Sequence, residues 1–185
     1  MMVGAMRALV AIAALTVALA GCGGGEKLAE PPPTAPEQIK LTSPAFKKND
    51  TIPTIYTCDG DELSPPLAWS DVPKDAKELA LLVTDPDAPG GSFVHWTVFG
   101  IAPSVKSIPE NSAPAGAKQG ENSAGDLGYG GPCPPEGDSA HRYVFALYAL
   151  DQESGLKQGA SPDEVRSALD REALARGQLI AKFKR

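Results

Sequence analysis

Two histidines and two aspartates beside rigid loops are the residues best suited to chemistry in this chain of 185 residues. Asp85, Asp87 and His95 lie in DPDAPGGSFVH, and His141 follows GYGGPCPPEGDSA. Proline fixes φ and glycine permits unusual backbone, so these loops can hold polar groups at the end of a sheet. Imidazole near a carboxylate gains proton affinity, and imidazolium can donate two hydrogen bonds to phosphate oxygens. The pattern predicts a small pocket for an anion, or for a zwitterion such as phosphoethanolamine if one aspartate meets an ammonium.

The same residue types admit an enzyme, since Ser64, Ser92 or Ser139 could serve as a nucleophile beside aspartate and histidine. However, the sequence has no nucleophile elbow, no HExxH and no phosphate-binding Gly-rich loop followed by lysine. We therefore expect a non-catalytic protein without a cofactor.

Two metal sites were also weighed against the sequence. A zinc site could use Cys58, Cys133 and the two histidines, but the cysteines lack CxxC spacing. A calcium site in CDGDEL would need the glycine and glutamate spacing of an EF-hand loop, which is missing. We expect no metal, and we interpret the acidic cluster at 59–62 as a solvated turn.

Three apolar segments must position the histidines. Residues 78–84, ELALLVT, are typical of a strand buried on both faces, and alternation places Leu81, Val83 and Asp85 on one face. Residues 93–101 form the next predicted strand, with His95, Thr97 and Phe99 on one side. Residues 143–150 form a third predicted strand. Extending its two-residue alternation back to residue 141 places His141 on the same face as Tyr143.

Other segments complete a mainly β chain. Residues 39–46 and 51–57 are predicted as short strands, 102–127 as a long surface connection, and 179–183 as a closing strand. Ser161, Pro162 and Glu164 have the types and spacing of a capped helix start, and this helix should end near Glu172. The pattern favours two packed, antiparallel-rich sheets, a β-sandwich with a short late helix.

The N-terminus predicts export and lipidation. Residues 1–21 contain Arg7 followed by the apolar run 8–20, and LAGC ends at Cys22. This arrangement resembles a bacterial lipoprotein signal, with an ordinary secretory signal as the alternative. The acyl chains on Cys22, palmitate among them, would hold the protein at the cell membrane on its extracytoplasmic side.

Composition divides the rest of the chain and excludes some partners. Residues 22–37 are rich in glycine and then proline, so we expect a tether, followed by a domain at 38–185. The formal net charge is -6, and removing residues 1–21 with Arg7 changes it to -7. This acidic balance argues against nucleic acid as a partner.

The motifs YTCDGDELSPPLAW, DPDAP, HWTVFGI, GYGGPCPPEG and HRYVFALYALD occur in this order between residues 39 and 185. Together they resemble the phosphatidylethanolamine-binding protein family, also called Raf kinase inhibitor-like proteins, in its bacterial branch. The resemblance implies a β-sandwich with an anion pocket at one end. It places the following residues around that pocket: Asp85, Asp87, His95, Pro135, His141 and Tyr143.

The resemblance implies binding of phosphate or phosphoethanolamine-like head groups at the cell envelope. The family name also suggests a second function, inhibition of an extracytoplasmic kinase or protease through protein contact. Cys58 and Cys133, left once Cys22 is lipidated, lie in two of the family motifs. Export permits a disulfide between them beside the pocket, with two buried free thiols as the alternative.

Overall fold

The computed structural model describes Met1 and residues 33–185. Apart from Met1, the predicted signal peptide at 1–21 lies outside the described residues, as do the lipidation site Cys22 and most of the predicted tether. Among the described residues, no helix combines the length and the apolar character needed to cross a membrane.

A five-stranded antiparallel sheet forms the centre of the domain. Its strands, in spatial order, are β6 (Lys118–Gln119), β4 (Phe93–Ile101), β3 (Glu78–Asp85), β7 (His141–Leu150) and β8 (Ala173–Phe183). Every residue of β3 is buried. This burial explains the continuous apolar run of the segment, because β3 is the middle strand and both of its faces are covered.

A smaller antiparallel sheet packs on one face of the first. It contains β1 (Lys40–Thr42), β2 (Leu67–Ser70) and β5 (Ser107–Ile108), in the order β1-β2-β5. Leu41 and Trp69 from the small sheet share one apolar cluster with Leu81, Val98 and Phe145 from the large sheet. The predicted β-sandwich is therefore confirmed.

The other face of the large sheet is covered by α1 (Pro162–Glu172). Its Val165 and Leu169 pack with Leu82 and Tyr148 in a second apolar cluster. The predicted start is confirmed, because the Ser161 hydroxyl accepts the Glu164 N–H while the Glu164 carboxylate accepts the Ser161 N–H. The helix ends at Glu172 as predicted, and β8 begins at the next residue.

The expectation of a strand at 51–57 is wrong. Pro53 precedes a single turn of 3-10 helix at Thr54–Tyr56, and Thr51 makes only an isolated bridge to Lys182. Proline cannot donate a ladder hydrogen bond, which explains why the strand does not form.

Residues 33–37, the end of the predicted tether, lie against the domain. The Pro33 carbonyl accepts a hydrogen bond from the Tyr148 hydroxyl at 3.1 Å, and the Pro36 carbonyl accepts one from the Arg176 N–H at 2.9 Å. These contacts cover the edge of the large sheet at β8.

Candidate functional site

The candidate site lies at the end of the large sheet where β3 finishes and where β4 and β7 begin. Asp85 is the last residue of β3, Phe93 is the first of β4, and His141 is the first of β7. Because the neighbouring strands are antiparallel, these three ends meet at one edge. The loops 86–92 and 120–140 extend from this edge and form the walls of a pocket.

A β-bulge sets the direction of the His95 side chain. Val83 pairs with Trp96 and Thr84 pairs with Val94, so His95 has no partner on β3. Strict alternation, which predicted His95 on the side of Thr97 and Phe99, therefore fails at this residue. The His95 ring instead lies 5.2 Å from the Tyr143 ring, centroid to centroid. Bulges commonly redirect a side chain at a functional site.

Asp85 and His141 form a buried pair on the floor of the pocket. The Asp85 Oδ2 lies 2.8 Å from the His141 Nδ1, and the two residues are 3% and 4% exposed. Asp85 Oδ1 accepts the Asp87 N–H at 2.8 Å, so both carboxylate oxygens are engaged. A carboxylate accepts, so Nδ1 of His141 carries the donated hydrogen. The His141 Nε2 lies 3.8 Å from the Asp138 Oδ2, which is beyond hydrogen-bond distance.

His95 is fixed in a similar way by a carbonyl group. Its Nδ1 lies 2.8 Å from the Gly130 oxygen, which requires a hydrogen on Nδ1. Burial lowers the pKa of His95, and the Gly130 carbonyl and the Asp85 charge oppose part of this effect. His95 is therefore neutral at pH 7, and its Nε2 can accept a hydrogen bond.

The pocket between these histidines has a volume of about 340 Å³. We call it the His95/His141 pocket, and its lining residues are Glu62, Asp85, Ala88, Pro89, Phe93, His95, Asn122, Ala124, Asp126, Gly130, Gly131, Cys133, Pro134, Pro135 and His141. The lining has three carboxylates and two imidazoles, with no lysine or arginine. Such a charge balance suits a ligand that brings a positive charge of its own.

Four of the six residues predicted around the pocket line it: Asp85, His95, Pro135 and His141. Tyr143 does not, because it is fully buried beside the His95 ring. The Tyr143 hydroxyl has no hydrogen-bond partner among the described residues. Burial and then the Asp85 charge raise its pKa, so the hydroxyl stays protonated. Tyr143 thus packs against the His95 ring beneath the floor of the pocket.

Asp87 is the second predicted residue outside the pocket. Its Oδ1 accepts from Arg142 Nη2 at 2.6 Å, and its Oδ2 accepts from Arg142 Nε at 2.8 Å and from the Arg142 N–H at 2.9 Å. This guanidinium lowers the pKa of Asp87. The ion pair lines a separate, open cavity on the other side of His141.

Sequence reasoning did not identify several wall residues. Glu62, interpreted above as part of a solvated turn, lines the pocket, and its Oε1 accepts the Gly131 N–H at 3.2 Å. Asp126 also lines it, on a turn in which the Asn122 Oδ1 accepts the N–H groups of Ala124 and Asp126. Asparagine, serine and glycine are typical turn residues, and their presence in residues 121–126, ENSAGD, was the sequence signal for this turn.

Cys58 and Cys133 form a disulfide at the pocket wall, with a Cα–Cα distance of 5.4 Å. A close approach of the two loops accompanies this bond. A Cβ on Gly131 would lie 3.0 Å from the backbone of Thr57, so any larger residue would push the two loops apart by a few tenths of an ångström. With both thiols consumed, the four-residue zinc site considered above lacks its sulfur ligands. The described residues contain no group of three or more His, Cys, Asp or Glu placed to hold a metal ion.

Comparisons with known proteins show the family to which the chain belongs. A family model described as phosphatidylethanolamine-binding protein matches residues 42–184. A UPF0098 protein of Methanothermobacter thermautotrophicus is 45% identical over 152 residues, covering 80% of this chain and 99% of that protein. A Mycobacterium tuberculosis protein named “Putative lipoprotein LppC” is 41% identical over 185 residues, covering 92% of each chain.

A solved structure gives the same result for the fold. The crystal structure of E. coli YbcL, described as a new member of the mammalian PEBP family, matches with a TM-score of 0.77 and 33% identity. The match covers 80% of this chain and 99% of YbcL.

Proposed function

The chain belongs to the phosphatidylethanolamine-binding protein family, and on that premise we propose that it is a non-catalytic binding protein for small phosphate esters that carry an ammonium group. The observation that carries this proposal is the His95/His141 pocket, in which each histidine has one ring nitrogen fixed by the protein. The two Nε2 atoms can then contact one ligand, with the Asp138 carboxylate 3.8 Å from that of His141.

The phosphate would bind at the histidines. Phosphomonoesters have a second pKa near 6, so both the monoanion and the dianion are present around neutral pH. The protonated oxygen of the monoanion can donate to the neutral His95 Nε2. His141, with Asp85 accepting from its Nδ1, can carry a second proton on Nε2 and donate it to another phosphate oxygen.

The ammonium would bind at the carboxylates of the wall. Glu62 and Asp126 line the pocket, and both are exposed at its mouth. A dianion alone would meet these charges without compensation. A phosphoethanolamine-like zwitterion supplies a positive charge to them, which makes it a better ligand than inorganic phosphate.

We further propose that the protein acts at the cell envelope, held to the membrane by acyl chains on Cys22. The support is the LAGC motif and the lipoprotein name of the Mycobacterium tuberculosis relative. A disulfide between Cys58 and Cys133 is compatible with an oxidising, extracytoplasmic compartment.

Isothermal titration calorimetry with phosphoethanolamine tests the binding function. Wild type should bind phosphoethanolamine more tightly than either inorganic phosphate or ethanolamine alone. His141→Ala should weaken binding by roughly 10- to 150-fold, since a charge-assisted hydrogen bond contributes about 1.5 to 3 kcal/mol.

Lys182→Gln is the matched control, because Lys182 lies outside the His95/His141 pocket on the far side of His141. It should bind as wild type does. Equal affinity in wild type and His141→Ala would remove the pocket histidine from the site, and absence of any heat with wild type would refute this ligand class.

A further inference from the structure

The Cys58–Cys133 disulfide joins the two loops that form one wall of the His95/His141 pocket. Residues 57–63 contribute Glu62 to the lining, and residues 129–135 contribute Gly131 and Cys133. Two hydrogen bonds run beside the disulfide, from the Cys58 N–H to the Pro132 oxygen and from the Gly131 N–H to Glu62 Oε1, each at 3.2 Å. Both are at the long end of the usual range. The Tyr129 hydroxyl also donates to the Tyr56 oxygen at 2.7 Å, immediately before residues 57–63. The disulfide adds a covalent bond to these contacts.

This disulfide is reachable from solvent and lies beside a cation. Cys133 is exposed and Cys58 is partly exposed. The Arg185 Nη1 lies 3.6 Å from the Cys133 Sγ. Asp59 and Glu136 hold the guanidinium at 2.9 Å and 3.5 Å, and their charges oppose part of its effect. A guanidinium beside a cysteine stabilises the thiolate, and a stabilised reduced form makes a disulfide easier to reduce.

We propose that Cys58–Cys133 is an exchange-active disulfide that dithiol reductants open, with Arg185 stabilising the released Cys133 thiolate, and that its redox state sets the affinity of the pocket. A thiolate of the dithiol attacks the Cys58 Sγ, the S–S bond breaks, and Cys133 leaves with the electron pair. The second thiolate of the reductant then attacks the mixed disulfide and releases Cys58. The reductant becomes a disulfide and gives up two electrons and two protons: both electrons go to the two cysteine sulfurs, one proton goes to Cys58, and the other goes to solvent while Cys133 stays a thiolate beside Arg185.

Reduction changes the pocket in two ways. It removes the bond that fixes Glu62 against Gly131, and it adds a thiolate to a wall that already holds Glu62, Asp85 and Asp126. Both changes weaken binding of a phosphate ester. This coupling to affinity rests on the proposed binding function, whereas the exchange reaction itself does not.

Equilibration of the full chain with mixtures of reduced and oxidised dithiothreitol at neutral pH tests the role of Arg185. Alkylation of Cys58 and Cys133 is read by mass spectrometry. Arg185→Gln should need a ratio of reduced to oxidised reagent that is roughly three- to tenfold higher for half-reduction. Lys184→Gln removes a neighbouring charge and should match wild type. Equal midpoints for Arg185→Gln and wild type would overturn the proposal.

Amide hydrogen exchange and calorimetry test the coupling. Exchange of the Gly131 and Cys58 amides, followed by NMR, should become severalfold faster on reduction and recover on reoxidation. Reduced protein should bind phosphoethanolamine more weakly than oxidised protein. The double variant Cys58→Ser, Cys133→Ser should have an intermediate affinity, because it lacks the disulfide bond but also lacks the thiolate. Unchanged amide exchange, or equal affinity of the two redox states, overturns the coupling. If oxidised protein does not bind phosphoethanolamine, the proposed binding function is wrong. The amide exchange then still shows whether reduction loosens the two loops of the pocket wall.

Discussion

Asp85 shows how one carboxylate can organise a site from the end of a buried strand. At 3% exposure its charge is costly unless hydrogen bonds compensate it. The Asp87 N–H and the His141 Nδ1–H supply them, one to each oxygen. The first of these bonds shapes the turn after β3, and the second fixes the histidine ring. Asp85 therefore determines both the backbone of the loop and the tautomer of His141.

His95 predicts a pH dependence of stability. Burial lowers the pKa of His95 in the folded state, so the unfolded chain binds the proton more readily. This contribution to stability is complete above the unfolded pKa of about 6.5, and it is lost as pH falls through that value towards the folded pKa. Urea unfolding of wild type between about pH 8 and pH 5 should show this loss.

The variant His95→Gln isolates this contribution. Between about pH 8 and pH 5, the unfolding free energy of His95→Gln should decline less than that of wild type. The difference between the two proteins at about pH 8 gives the cost of the packing lost in the variant. Parallel stability curves for His95→Gln and wild type would show that His95 does not titrate in this range.

The family resemblance placed six residues around the pocket, and four of them line it, but side-chain alternation explains the direction of only two. Asp85 and His141 lie at strand ends, where alternation of side chains gives their direction. The direction of Asp87 depends instead on a partner 55 residues away, Arg142, and no local pattern encodes that choice. Glu62 was missed for the same reason, because its carboxylate meets Gly131 across 69 residues.

At the scale of elements, periodicity predicted the long central strands and the helix and failed on the short pieces. Segments 78–84 and 93–101 have enough apolar residues to show a pattern, and the structure has strands there. The two-residue strands β5 and β6 form only because longer neighbours offer pairing groups, so 102–127 showed no signal of them. The bulge at His95 likewise depends on the register of β4 against β3, which a single strand cannot reveal.

The cap of α1 predicts a measurable stability loss. Ser161→Ala removes the hydroxyl that accepts the Glu164 N–H, so the domain should lose about 1 kcal/mol of unfolding free energy. Ser167, an exposed residue within the same helix, supplies the control. Ser167→Ala should not lower the unfolding free energy. It should raise it by about a few tenths of a kcal/mol, because alanine is the better helix former. If both variants unfold at the same urea concentration, the capping box does not stabilise the domain.

For the whole molecule, the two ends of the large sheet have different contacts. The His95/His141 pocket and the disulfide lie where β7 begins. At the other end, Glu78 is 5% exposed and accepts hydrogen bonds from the Gly100 N–H, the Ser154 N–H and the Ser154 hydroxyl. This buried carboxylate links β3 to Gly100 of β4 and to the loop that follows β7. The His95/His141 pocket and the Glu78 contacts thus lie at opposite ends of the central strands.

The N-terminal segment joins the domain towards the Glu78 end. Pro33 contacts Tyr148, which lies seven residues along β7 from His141, or about 23 Å at the usual rise per residue. Cys22 precedes Pro33 by eleven residues, which can span at most about 36 to 40 Å. The proposed anchor at Cys22 would therefore attach to the domain about 23 Å from the pocket, and its tether is long enough for the pocket to face either solvent or the membrane surface.

Replacement of the anchor residue tests this arrangement. In cells that export the protein, Cys22→Ser should move the domain from the membrane fraction to the soluble extracytoplasmic fraction, because the acyl chains supply the attachment. Since Cys22 lies far from the pocket along the chain, affinity for phosphoethanolamine should match that of wild type in detergent. Alkylation of Cys58 and Cys133 controls for export, as both should stay oxidised in the released protein. A variant that still sediments with membranes after a high-salt wash would show that the attachment does not depend on Cys22, because salt screens only electrostatic binding.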